Sequence, residues 1–252
     1  MLELSNVTKA FANSYDYVLK DISLKLNEGD FCVVIGSNGS GKSTLLKTIS
    51  GEYRYDSGYI NIDGLNLANE DCSNYIASVV QDTNQGTIAE LTLLENMALS
   101  FMRTQKASLK FYRHFRASVK HQIEELGLGL EQYLDKPIGQ LSGGQRQMIA
   151  TLMAINCQPK ILLLDEHTSA LDPKIQKLLM NYTVEAIIKN KITSMMITHK
   201  LDDAIAYGNR LIMLYNGRII FDVSGQQKTS LTVSKLLQLF HKYEDQILTG
   251  EP

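Results

Sequence analysis

Three short stretches of this chain hold residues whose types and spacing could do phosphate chemistry. The first is GSNGSGKST, Gly36 to Thr44, which has the spacing GxxxxGK[ST] between an apolar run ending at Ile35 and a helical pattern starting near Gly41. In such a loop the backbone N–H groups of Gly36, Ser37, Asn38, Gly39, Ser40 and Gly41 can wrap a β-phosphate, and the helix start adds its dipole. Lys42 reaches the β- and γ-phosphates, and Ser43, followed by Thr44, offers a hydroxyl to Mg²⁺. The plain alternative is a glycine loop that only turns the chain. The second stretch is KILLLDE, Lys160 to Glu166, in which four apolar residues bury a strand and deliver Asp165 to its C-terminal end, where α/β sheets place ligands. Asp165 can then help hold Mg²⁺, and Glu166, one residue farther out, can polarise an attacking water. The alternative for Glu166 alone is an ordinary acid at a helix start. The third stretch is LSGGQ, 141 to 145, ahead of an apolar-periodic helix from Gln147 to Ile155. Ser142 and the amides of Gly143 and Gly144 form a second helix mouth suited to an anion. One nucleotide does not need two such cradles, which raises the question of which phosphate the second one touches.

The elements that must position these residues read as α/β. Residues 2 to 8 and 18 to 26 alternate apolar with polar, whereas FCVVI (31 to 35) is a continuous run of buried-strand type. A helix follows to Gly51, then the short strands GYINIDG and YIASVVQ. From about 88 to 156 the texture is helical. After Pro159 come the strand KILLLD, a helix near 174 to 189, the strand TSMMITH, a short helix, and the hairpin RLIMLYNGRIIFD with Asn-Gly at its turn. A short amphipathic tail, with Val233, Leu236, Phe240 and Ile247, is expected to fold back on this core.

With Gln81 at a strand end, SALD at 169 to 172 and His199 closing SMMITH, the set of motifs resembles the ATP-binding subunits of ABC transporters over residues 2 to 227. The resemblance implies a P-loop NTPase (RecA-like) core with an antiparallel β subdomain, over 1–87 and 157–230, and an inserted α-helical signature subdomain, over 88–156, with a helical tail over 231–252. It implies ATP and Mg²⁺ as ligands, ATP hydrolysis, and a head-to-tail dimer in which the signature Ser142, Gly143, Gly144 and Gln145 close over the ATP held by the partner's loop. Gln81 is then a glutamine that senses Mg²⁺ beside Ser43 and Asp165, His199 a switch histidine on the γ-phosphate beside Glu166, and Asp172 part of the loop crossing between sites. Read singly, Gln81 is a loop amide and His199 a satisfied histidine at a strand end. Phe11, Tyr15 and Tyr17 are the candidates for the ring that stacks on adenine, with Phe11 in VTKAF preferred. One departure is His167, where most relatives have proline; a structural substitution explains it better than a second catalyst.

Bulk properties narrow the partners. A chain of 252 residues with 44% apolar content can bury a full core, and a formal net charge of −2 argues against nucleic acid as a general partner. Cys32, Cys72 and Cys157 show no zinc or CxxC spacing and fit a reducing cytoplasm. No apolar run approaches the roughly 18 residues of a membrane span, so any membrane role requires a partner. The resemblance implies a separate integral membrane permease, with the ATPase, as homodimer or paired subunit, on the cytoplasmic face of the membrane. Only 96 residues separate Thr44 from Leu141, too few for the long coiled coils of DNA-repair relatives, and a single set of motifs sets the chain apart from tandem translation factors. The texture of QDTNQGTIAELTLLENMAL, LGLGLEQYLDKPIGQLSGGQRQ and DEHTSALDP is similar to importer ATPases for tryptophan, tyrosine or branched-chain amino acids, which work with a periplasmic or lipoprotein solute-binding protein; an exporter, a lipid-extracting system or a non-transport regulatory ATPase is the alternative. The segment Gln81 to Met97 is expected to receive the permease. Between Phe101 and Ile123 lie six Lys or Arg residues and no acid; Leu109, Tyr112, Phe115, Val119, Ile123 and Leu126 share one helical face, and Lys106, Lys110, Arg113 and Lys120 another. The plain reading is a solvated basic face; the functional ones are a face toward anionic lipid or acidic permease loops, or, third, toward RNA.

Overall fold

The computed structural model describes residues 1–12, 16–80, 82, 85–103, 112–169 and 171–249, without the side chains of 241 and 243–249. The FCVVI run forms β3 of a mixed sheet, and its neighbours explain why it is apolar at every position. Strands β1 (Leu2–Ala10), β2 (Tyr17–Leu26), β4 (Ser57–Ile62) and β5 (Leu65–Asn66) make an antiparallel sheet in the order β2-β1-β4-β5. The second sheet combines β3 (Phe31–Ile35), β6 (Ile76–Val79), β7 (Ile161–Asp165), β8 (Thr193–Ile197), β9 (Arg210–Tyr215) and β10 (Arg218–Ser224) in the order β10-β9-β3-β8-β7-β6. Its inner pairs are parallel, and only the β9–β10 hairpin is antiparallel.

Because side chains alternate across a sheet, the two faces of β3 enter two different cores. Cys32 and Val34 pack with Leu4, Ile22, Ile60 and the helix residues Leu45 and Ile49, between the sheets. Phe31, Val33 and Ile35 pack on the opposite face with Leu162, Leu164, Met196, Met180 and Leu236. Each of these aliphatic side chains contributes about 1.5–3 kcal/mol on burial, which fixes the register of the strands that carry the motifs.

The helices are α1 (Lys42–Ile49), α2 (Leu93–Arg103), α3 (Arg116–Glu124), α4 (Gly143–Asn156), α5 (Pro173–Asn190), α6 (Leu201–Ala206), α7 (Gly225–Thr229) and α8 (Val233–Thr249). A third apolar cluster joins α2, α3 and α4 through Leu93, Met97, Val119, Ile123, Met148 and Leu152, and includes Leu179 of α5. Helix α4 begins at Gly143, four residues ahead of the periodic stretch from Gln147, so the two glycines of LSGGQ lie in its first turn. In the tail, Leu236 is fully buried and Leu239 and Phe240 pack beside it, which is the folding back expected of the amphipathic pattern; the side chain of Ile247 is outside the described residues.

Candidate ATP site

Parallel strands with matched register bring three distant segments to one edge. Val34 of β3 pairs with Ile197 of β8, and Ile197 pairs with Asp165 of β7. The GSNGSGKST loop leaving β3, the acid pair closing β7 and the turn after β8 therefore emerge side by side at the C-terminal edge of the sheet. Glu166 N–H donates to Ile197 O at 3.3 Å, tying two of the three turns together.

The loop backbone is packed too closely for side chains at Gly36 and Gly41. Gly36 has φ 154°, and a Cβ there would stand 2.3 Å from Leu214 O and 2.7 Å from Ser40 Oγ. Gly41, the residue before α1, has φ 102°, and its Cβ would stand 2.8 Å from Val18 O. Lys42 is only 6% exposed, and its Nζ donates to Gly36 O at 3.0 Å and Ser37 O at 2.8 Å. The ammonium thus lies inside the loop, satisfied by its own carbonyls, where a phosphate would offer stronger, charged acceptors. Burial lowers the Lys42 pKa, against the opposing pull of the Glu166 and Asp165 carboxylates. Burial raises that of Asp165, while a hydrogen bond from Ser43 and the nearby lysines lower it. Ser43 itself is exposed.

Glu166 adopts φ 48°, the left-handed region that non-glycine residues rarely occupy. Its Oε1 lies 2.6 Å from Nε2 of His199, so the candidate base and the candidate switch histidine, 33 positions apart, are in direct contact. On the other mouth, Ser142 is the N-cap of α4: its Oγ accepts from Gln145 N at 3.3 Å and its own N–H donates to Gln145 Oε1 at 2.9 Å, a reciprocal capping box. Ser142 and Gly143 are exposed, and a Cβ on Gly143 would meet nothing within 4 Å. Gly144 faces the turn before α5, where its Cβ would stand 3.1 Å from Leu171 Cδ2. Asp172 caps α5, accepting from Lys174 N and Ile175 N, each at 3.1 Å.

Residues 19–169 match the family described as ABC transporter. The chain belongs to that family. It is 39% identical over 247 residues to a tyrosine transport ATP-binding protein of Clostridioides difficile (strain R20291), covering 95% of this chain and 98% of that one. A general L-amino acid transport ATP-binding protein, AapP, of Rhizobium johnstonii (strain DSM 114642 / LMG 32736 / 3841) is 31% identical over 253 residues, covering 94% and 93%. Among solved structures, a dimeric ATP-binding cassette in a post-hydrolysis state, bound to ADP and Pi, superposes with TM-score 0.79 at 29% identity, covering 89% of this chain and 98% of that one. This protein is the ATP-binding subunit of an ABC transporter and hydrolyses ATP to power transport.

Within this ATPase, several residues stand apart from the motif reading. Gln81 and Tyr15 lie outside the described residues. Phe11 packs edge-on against Tyr53, centroids 5.2 Å apart, with Lys9 Nζ 5.3 Å from its ring; Tyr17 is more exposed. Tyr53 carries no motif signal; its contacts with Phe11 and with Lys47 Nζ, 5.2 Å from its ring, single it out. Gln147 is buried in α4 and donates to Val80 O at 3.1 Å, holding the strand end that precedes Gln81 against the signature helix. His167 is 2% exposed, its Nε2 has no hydrogen-bond partner, and burial lowers its pKa from 6.5 to about 4. It is a neutral packed side chain, in keeping with a structural substitution. The basic segment is less free than its sequence suggests. Tyr112–Phe115 forms a 3-10 turn ahead of α3, Phe101 stacks on Phe115 at 5.3 Å, and Val119, Ile123 and Leu126 are buried. Arg116 makes a bidentate pair with Asp135 at 2.6 and 2.7 Å, and Lys120 lies 3.6 Å from Glu124. Lys106, Leu109, Lys110 and Phe111 are outside the described residues. No described helix is long and apolar enough to cross a membrane.

Proposed function

We propose that this ATPase energises an importer of amino acids or similar small solutes, closing as a dimer around two ATP molecules, each held by one subunit's GSNGSGKST loop and the other's LSGGQ. The observation that carries the reading is the second cradle. The mouth of α4 is exposed at Ser142 and Gly143, while the Gly36–Thr44 loop already has its own lysine, hydroxyl and acid pair. An exposed anion cradle with no role in its own subunit's site fits a trans contact. The core would comprise 1–87 and 157–230, the inserted helical part 88–156, and the tail 231–252.

On ATP binding, Lys42 exchanges the carbonyls of Gly36 and Ser37 for β- and γ-phosphate oxygens, and the loop amides from Gly36 to Thr44 wrap the β-phosphate. Phe11 stacks on adenine. Ser43 and Asp165, with Gln81, suit Mg²⁺, because a carboxylate that burial disfavours as an anion gains from a cation beside a neutral hydroxyl donor. When bound there, Mg²⁺ supplies charge neutralisation on the phosphates. Glu166 takes a proton from the water whose oxygen attacks the γ-phosphorus, the bond to the β–γ bridging oxygen breaks, and ADP leaves with the bonding electron pair. His199, already on Glu166 Oε1, holds that carboxylate and would face the γ-phosphate of bound ATP. Asp172, the N-cap of α5, would stand in the turn that crosses between sites. The segment 81–97 would receive a loop of a separate permease, placing the dimer on the cytoplasmic face of the membrane. A solute-binding protein outside would select the cargo.

Glu166→Gln keeps shape and removes the base, so hydrolysis should fall about 10²- to 10⁴-fold while ATP binding survives. The variant should elute as a dimer on size-exclusion chromatography with ATP and as a monomer without it. Adding Ser142→Arg places a bulky cation in the shared phosphate site and should dissolve the dimer. A double variant that dimerises as well as Glu166→Gln alone would remove LSGGQ from the trans site.

A further inference from the structure

Directly behind the catalytic turns, one carboxamide spans the two helices that start from them. Gln176 is 8% exposed, four residues after Asp172, and its backbone N–H donates to Asp172 O at 2.9 Å. Its side-chain Nε2 donates to Asp203 Oδ2 at 3.1 Å, and its Oε1 accepts from Lys200 Nζ. The amide has only one workable orientation, since a flip would set oxygen against carboxylate and NH₂ against ammonium. Lys200 directly follows His199 and is the N-cap of α6; its N–H donates to Thr198 Oγ1 at 3.1 Å and its carbonyl accepts from Ala204 N at 3.0 Å. Asp203 lies in the first turn of that same helix. The start of α5, capped by Asp172, is thereby clamped at two points to the start of α6, whose N-cap Lys200 directly follows His199.

We propose that Gln176 is a positioning residue that couples the Asp172 turn to His199, so that engagement of that turn by the partner subunit sets the histidine, and with it Glu166, for hydrolysis. This rests on the dimer reading given above. Gln176 reaches the site through its two partners, Asp203 and Lys200. It acts because a shift of the α5 start moves the amide, and the amide holds both a donor and an acceptor on α6. The expected signature is a turnover defect without a binding defect, since the GSNGSGKST loop and LSGGQ lie elsewhere in the fold.

The experiment uses the full chain with MgATP. Gln176→Leu should lower kcat about tenfold, within the range of ordinary couplings between sites, with KM and the affinity for a fluorescent ATP analogue changed less than about twofold. The Glu166→Gln/Gln176→Leu chain should still dimerise with ATP. Gln176→Glu should lower kcat similarly, because it sets a second carboxylate against Asp203. Adding Asp203→Asn to that variant restores a donor facing an acceptor and should recover most of the lost rate, which a general loss of packing would not allow. Undiminished kcat in Gln176→Leu, or no recovery in Gln176→Glu/Asp203→Asn, overturns the proposal while leaving the dimer reading intact. A Glu166→Gln chain that stays monomeric in saturating ATP overturns both.

Discussion

Acidification should weaken the folded chain through His167 in particular. Its pKa falls to about 4 in the fold, against 6.5 as the ordinary value, because the imidazole is buried and its Nε2 has no partner to stabilise a charge. Below pH 6.5 the unfolded chain takes up a proton that the folded chain refuses, so stability is intact above pH 6.5 and is lost as pH falls toward 4. At about 1.36 kcal/mol for each pH unit crossed, the drop from 6.5 to 5 costs about 2 kcal/mol. For a chain of this size that corresponds to roughly 4–8 °C in Tm. Asp165 and Asp203, both raised by burial, push the opposite way, so the comparison must be differential. His167→Leu fills the same apolar space without a titrating group and retains both aspartates. Thermal melts of the two proteins at pH 7.5 and pH 5 should diverge, with the native chain losing about 4–8 °C more than the variant. Parallel Tm shifts would refute the claim that His167 is held neutral by burial.

Lys42→Ala should raise the Kd for ATP about 10- to 100-fold: a charged hydrogen bond to phosphate is worth about 1.5–3 kcal/mol, and Lys42 gives up two carbonyl bonds to make it. Fluorescent-nucleotide titration checks this, and an unchanged Kd would remove Lys42 from the phosphate site. Asp172→Ala removes the acceptor for two amides at the start of α5 and should cost about 1 kcal/mol of stability. Denaturant melts read the loss, and no change in midpoint would mean that the cap contributes nothing.

How much was legible in the sequence follows from the range of the interactions involved. The GSNGSGKST loop, the capped LSGGQ helix and the strand that ends in Asp165 are local devices. Glycine spacing, an N-cap and an apolar run act within a dozen residues, so their chemistry shows in the letters alone, and with it the family. The same holds for Leu236 in the tail and for Val119, Ile123 and Leu126, whose periodicity marks one buried face. What the sequence left open depends on groups far apart along the chain. The pairing of Val34 with Ile197 and of Ile197 with Asp165 brings Lys42, Glu166 and His199 to one edge, and no local pattern encodes strand order. Arg116 reads as one of six basic residues in a stretch without an acid until the fold sets Asp135 against it. His167 reads as a second imidazole near the chemistry, and only burial makes it neutral. Gln176 belongs to no motif, and it acquires a partner on each side because the fold brings the start of α6 within hydrogen-bond reach of it. The sequence alone therefore determined which chemistry the chain can do, since that depends on residue type and short spacing; the tertiary structure decided which groups meet and in what charge state, since those depend on contacts and burial between segments that no local motif spans.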